Sequence, residues 1–133
     1  MNRYKRKQVL RKFYDILSPV CDAVYTRKRP TTKQSSGNFI VVRLPLGIDT
    51  TSSIHNTATV QLTLFVHDRS NGIVDEDMFE SLCDAVLGAL RANRANDVFR
   101  INDEPLIFND KSDGMGYQYE IMQFDIVIPT LKH

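Results

Sequence analysis

The stretch Ala58-Thr59-Val60-Gln61-Leu62-Thr63-Leu64-Phe65-Val66-His67 restricts the fold more than any other part of the chain. Its even positions, Ala58, Val60, Leu62, Leu64 and Val66, are apolar, and its odd positions are mostly polar. A period of two places one face of a pleated strand on a core and turns the other toward solvent or a partner. Asp68-Arg69-Ser70-Asn71-Gly72 then supplies turn chemistry. From Asp75 to Arg91 the pattern becomes helical: Met78, Phe79, Leu82, Cys83, Val86, Leu87 and Leu90 recur at steps of one, three and four. The unit at about 58–91 thus predicts a sheet covered on one face by a helix, with the seven apolar helix residues packed on the even face of the strand.

The other elements fit around that unit. Residues from about Tyr4 to Leu17 read as a helix with Val9, Phe13, Ile16 and Leu17 on its apolar side. Ser18-Pro19 ends or kinks it, because proline lacks the donor and disfavours helical geometry in the residue before it. Val24–Arg27 predicts a first strand. Phe39-Ile40-Val41-Val42-Arg43-Leu44 predicts a second, and its nearly unbroken apolarity implies burial on both faces. Gly47–Thr57 reads as a polar loop, longer than a hairpin normally needs. After the helix, Val98–Ile101 and Pro105–Asn109 predict strands, Asn109-Asp110-Lys111-Ser112-Asp113-Gly114 a turn, and Gly116–Pro129 a long last strand. In that strand apolar parity shifts from odd (Tyr117, Tyr119, Ile121) to even (Phe124, Ile126, Ile128), which a β-bulge near Met122 or Gln123 would reconcile. The order of elements predicts one α+β domain over 1–133: a mostly antiparallel sheet of about four to five strands, with two helices on one face.

Composition adds constraints where charge is concerned. The chain has 133 residues, 42% apolar and 25% charged, and a net charge of +1. Residues 1–33 hold ten Lys/Arg against Asp15 and Asp22, a balance of +8, so the other hundred residues balance at −7. A bipolar chain of this kind predicts a basic end that meets something acidic, either nucleic acid or another copy of the protein. Arg3, Lys5, Arg6, Lys7, Arg11 and Lys12 are the candidate contacts for assembly or for a polyanion. No apolar run approaches the ~20 residues of a membrane span, so no membrane partner is expected. The basic N-terminus lacks the apolar region of a signal peptide, and folding in the cytosol is expected.

Signals for catalysis are absent. His55, His67 and His133 have no second ligand at metal-binding spacing. Asp75-Glu76-Asp77 suits a helix N-terminus, and Asp77 with Glu80 has capping-box spacing. Asn109–Gly114 lacks the alternating ligands and closing glutamate of a calcium loop. Cys21 and Cys83 form no metal or redox motif, and Cys83 falls on the apolar helix stripe. No phosphate-cradling, dinucleotide-binding or nucleophile-elbow motif occurs. The expectation is a protein without catalytic residues, metal or cofactor.

The succession of elements resembles the phage tail-completion proteins, also described as tail-terminator or head–tail joining proteins. The resemblance rests on the N-terminal helix, Val24-Tyr25 leading to Pro30, Asn38-Phe39-Ile40-Val41-Val42, the strand ending Phe65-Val66-His67-Asp68-Arg69, the helix Met78–Leu90, and the closing strands Leu106–Asn109 and Tyr119–Pro129. It implies a small α+β structural subunit, not an enzyme, that assembles into a ring, often sixfold, against tail-tube or head–tail connector proteins. Its place would be the cytoplasm of the bacterial host during assembly, then the virion tail or head–tail junction. The basic N-terminal arm and the Gly47–Thr57 loop depart from the family pattern, and a related contractile injection apparatus shares the implied role. A small nucleic-acid-associated module using the basic arm is the alternative; Tyr4, Phe13 and Tyr14 are the aromatics near the basic residues, but Phe13 is needed for packing.

Overall fold

The computed structural model of the chain describes residues 6–21, 23–26, 38–50, 55–67, 75–112 and 117–129. The elements are α1 (Arg6–Leu17), β1 (Ala23–Tyr25), β2 (Phe39–Arg43), β3 (Ile48–Asp49), β4 (His55–His67), α2 (Glu76–Ala92), β5 (Arg100–Ile101), β6 (Leu106–Ser112) and β7 (Tyr117–Pro129). The described strands form one seven-stranded sheet running β1-β2-β4-β7-β5, with β3 also on β4 and β6 also on β7. Only β1–β2 is parallel. The α+β class and mostly antiparallel sheet are as expected; four to five strands was an undercount. Ile48–Asp49, two residues long, is too short to show a period, and Arg100–Ile101 is the part of the expected Val98–Ile101 strand that forms.

β4 and β7 pair residue for residue from His55↔Pro129 to His67↔Tyr117. Even residues of β2, β4 and β7 share one face, where Ile40, Val42, Val60, Leu62, Leu64, Met122, Phe124, Ile126 and Ile128 join the buried residues of both helices in the main core. Leu62 and Leu64 therefore meet the helices, as the alternation predicts. From α1 come Val9, Leu10, Phe13, Ile16 and Leu17, and from α2 Phe79, Leu82, Val86 and Leu90. Met78 departs from its expected place: it lies one step outside the stripe and is exposed, while Cys83 and Leu87 are only partly covered.

β2 is buried on both faces from Phe39 to Val42, as its unbroken apolarity implies. Its odd residues belong to a second, smaller cluster on the other side of the sheet, with Phe39, Val41, Phe65 and Tyr117 buried. Phe39 stacks on Phe65 with centroids 4.4 Å apart and meets Tyr117 edge-on at 5.2 Å.

That cluster corrects the expected bulge. β7 runs in unbroken register against β4 through Met122 and Gln123. The parity shift arises because Tyr117 serves the aromatic cluster, whereas Met122 onward serves the helix face. The irregularity lies instead in β6, between Phe108↔Ile121 and Lys111↔Tyr119. Asn109–Ser112 consequently belongs to a strand, not to the turn predicted for Asn109–Gly114.

The long Gly47–Thr57 loop is also corrected. The Gly47 N–H donates to the Leu44 carbonyl at 3.0 Å, closing a turn over Pro45-Leu46. Gly47 has φ of 70°, a conformation that side chains with a Cβ adopt rarely. Four residues, 44–47, thus stand against two of β4 between Gln61 and Ala58, and β3 rejoins the same edge. β4 begins at His55, three residues before the apolar alternation, so His55 lies in a strand rather than a loop.

Candidate functional site

The basic helix α1 is the site that sequence reasoning singles out, and its cations have different fates. Arg3 and Lys5 lie outside the described residues. Arg6 opens the helix and donates from Nη1 to the Leu44 carbonyl at 2.9 Å, tying α1 to the turn after β2. Arg11 lies 3.4 Å from Asp15, one turn on, with its guanidinium 6.0 Å from the Tyr14 ring centroid. Lys12 holds Asp97 at 2.7 Å. Lys7 is exposed and makes no ion pair with a described residue.

Local chemistry explains the Lys12 contact. Asn96 ends the segment after α2, and its Oδ1 accepts from the N–H groups of Val98 (2.9 Å) and Phe99 (3.0 Å), a side-chain-built turn. Arg94 braces the same segment through the carbonyls of Ile101 and Asn102. The turn buries Phe99 against Phe13, stacked at 4.5 Å, and presents Asp97 to Lys12. The Lys12 hydrogen bond lowers the Asp97 pKa below the ordinary aspartate value, outweighing the opposing effect of desolvation.

The remaining cations gather on the other flank. Arg6, Lys7, Leu10, Arg11, Tyr14 and Thr26 line an open groove of about 940 Å³ between α1 and the end of β1. Tyr14 is 41% exposed there. The groove combines three cations, an aromatic ring and an aliphatic side chain, so it suits a carboxylate-rich or phosphate-bearing surface with some apolar content. Leu10 and Thr26 are additions to the predicted set, and Tyr14 joins it from the aromatics named for the nucleic-acid alternative. Tyr14 was legible as an aromatic one helical turn from Leu10; Thr26 becomes part of the groove only through the fold.

α2 has the opposite sign. Glu76, Asp77, Glu80 and Asp84 against Arg91 give it −3, whereas Arg6, Lys7, Arg11 and Lys12 against Asp15 give α1 +3. Its cap differs from the expected Asp77–Glu80 box: the N-cap is Asp75, whose Oδ1 accepts from the Met78 N–H at 3.2 Å. Glu76 and Asp77 in the first turn then favourably oppose the positive end of the helix dipole. α2 approaches the β5–β6 side of the sheet, where Arg91 reaches Glu104 at 3.4 Å. Leu87 and Leu90 form a small cleft there with Ile101 and Pro105. Burial, then the charges of Glu120 on β7 and Asp84, raises the pKa of the Cys83 thiol on this flank.

His67 sits at the end of β4 with its ring edge-on to Tyr117 at 5.0 Å, and its backbone N–H donates to Asn38 Oδ1. His133 lies outside the described residues. Among the described residues no three His, Cys, Asp or Glu side chains gather as a metal site, and no helix is long and apolar enough to cross a membrane. Neither cysteine is in a disulfide. No protein-family model matches the chain, and no curated protein matches it.

Proposed function

We propose that this chain is a structural subunit of a phage or prophage tail, a tail-completion or head–tail joining protein that acts by assembling into a ring. The observation that carries the reading is the pair of oppositely charged flanks. The cationic side of α1 looks out past the end of β1, and α2, which carries Glu76, Asp77, Glu80 and Asp84, approaches the β5–β6 side through Leu87, Leu90 and Arg91. A ring of identical subunits needs two different, mutually complementary patches on each copy. Charges of opposite sign steer neighbours head to tail and reject wrong registers, while apolar contacts supply most of the affinity. The family assignment itself rests on the resemblance in the order of elements, with the tail tube or connector as the surface the ring meets.

A second reading draws on Tyr14. An exposed ring among Arg6, Lys7 and Arg11 is also what a single nucleic-acid strand stacks on. Native mass spectrometry and sedimentation at low and high salt separate the two, using the native chain and a Lys7→Glu/Arg11→Glu variant. The ring reading expects oligomers of the native chain that weaken with salt and are lost in the variant. Equal assembly in every condition, or none, overturns it. Salt-dependent oligonucleotide binding by a monomer that the variant abolishes supports the second reading.

A further inference from the structure

We infer that neighbouring copies join their sheets, the β6 edge of one copy adding to the β1 edge of the next as an antiparallel pair. The inference rests on the ring reading and names the surfaces that meet. Among the described residues β1 pairs only with β2, and β6 only with β7, so each has one edge without a ladder partner. Open edges of this kind are templates for another strand unless charge, proline or cover blocks them.

Strand direction selects the pairing. β1 is parallel to β2, and β2–β4, β4–β7 and β7–β6 are each antiparallel. β1 and β6 therefore run in opposite directions at opposite margins of one sheet. A cyclic operation about an axis along the strands preserves direction, so the incoming β6 meets β1 antiparallel, the more stable ladder.

Side chains on the two margins agree with that geometry. Leu106 is 64% exposed and Ile107 47%, consecutive apolar residues that point to opposite sides of the sheet. β1 offers three residues, Ala23–Tyr25, and the apolar start of β6, before its irregularity, also has three, Leu106–Phe108. Both helices pack on the same face, so edge pairing also sets α1 of one copy beside α2 of the next. The +3 helix then neighbours the −3 helix, and Ile107, on the same face as Met122, approaches the margin whose groove contains Leu10 and Tyr14. Backbone hydrogen bonds supply affinity in strand addition, and flanking side chains supply selectivity.

The test is hydrogen exchange on the full chain, diluted below and concentrated above its assembly midpoint. It is joined by a Leu106→Lys/Ile107→Lys variant, since lysine on an edge strand opposes pairing. Amides of 23–25 and 106–108 should slow on assembly. The variant should raise the assembly midpoint by about tenfold or more, a loss on the order of 1.4 kcal/mol, with an unchanged monomer circular dichroism spectrum. Assembly without added protection at either edge overturns the strand pairing and leaves the ring reading standing. A chain that stays monomeric at every concentration and salt overturns both. If the variant fails to fold, exchange in the native chain still decides.

Discussion

On the helix-bearing face of the sheet every even residue of β4 from Asn56 to Val66 is buried, whereas on the opposite face of the same strand only Phe65 is. The first face is an extensive apolar core beneath two helices, mostly aliphatic but with Phe13, Phe79, Phe99 and Phe124 among its members. The second is a compact aromatic cluster at one end, followed by polar pairs: Thr59 Oγ1 donates to Asp125 Oδ1 at 2.8 Å, and Gln61 Nε2 to Gln123 Oε1 at 2.9 Å. One strand thus serves two environments along its length. Alternation reports the larger face faithfully, and it misleads wherever the smaller face is also buried.

The greatest separation between the faces should come from neighbours in sequence. Leu62→Ala removes a fully buried side chain from the helix face and should cost ~2–5 kcal/mol. Thr63→Ala, one residue on and half-buried on the other face, should cost about 1 kcal/mol or less, the range of strand preference. Urea unfolding of the two variants measures the difference. Equal losses would mean that the outer face carries as much packing as the core.

A second substitution reverses the usual sign. Asn56 is 1% exposed on the helix face, and among the described residues neither its Oδ1 nor its Nδ2 finds a hydrogen-bond partner. It stands opposite Ile128 at the end of the main core. An unsatisfied buried amide carries a desolvation cost of about 1–3 kcal/mol, so Asn56→Leu should raise stability by up to that amount. A rise in the urea midpoint at constant slope is the expected result. A loss of stability would show that the amide has a role on this face that an apolar side chain cannot fill.

What the sequence disclosed follows the same division. β4, β2 and α2 were legible because each spends many residues on one period or on unbroken apolarity. β3 was hidden, since two residues define no period and its pairing depends on β4 lying alongside, whereas β5 was expected at Val98–Ile101 and occupies only the last two residues of that span. The β7 parity shift was visible, but its cause was Phe39 and Phe65, distant in sequence and not a bulge in β7. At the candidate site the cations of α1 were legible individually. Arg11–Asp15 has the spacing of a helical pair, and nothing in the spacing of Lys12 and Asp97 announces their contact. The −3 and +3 helices could be counted in the sequence, but the neighbours each one meets, Thr26 and Asp97 for α1 and Ile101 and Pro105 for α2, are a property of the fold.

The smallest effect concerns that contact, at the rim of the helix-bearing face. Asp97 is fully exposed, so the pair with Lys12 is screened and its contribution is modest. Its sign is nevertheless fixed. Lys12 lowers the Asp97 pKa in the folded chain, so the folded state holds that proton less tightly than the unfolded state. The stabilisation is present above the ordinary aspartate value of about 3.9, and it is lost as pH falls through the lower native value. Thermal unfolding of the native chain and of Asp97→Asn, from neutral pH into acid, should show a small gap that closes over that window and narrows in high salt. A gap that persists below the window would mean that Asp97 acts through the turn around Asn96 rather than through Lys12. Lys12 would then be as available to a neighbouring copy as Lys7, and the basic surface of α1 would extend around the helix instead of being confined to the groove beside β1.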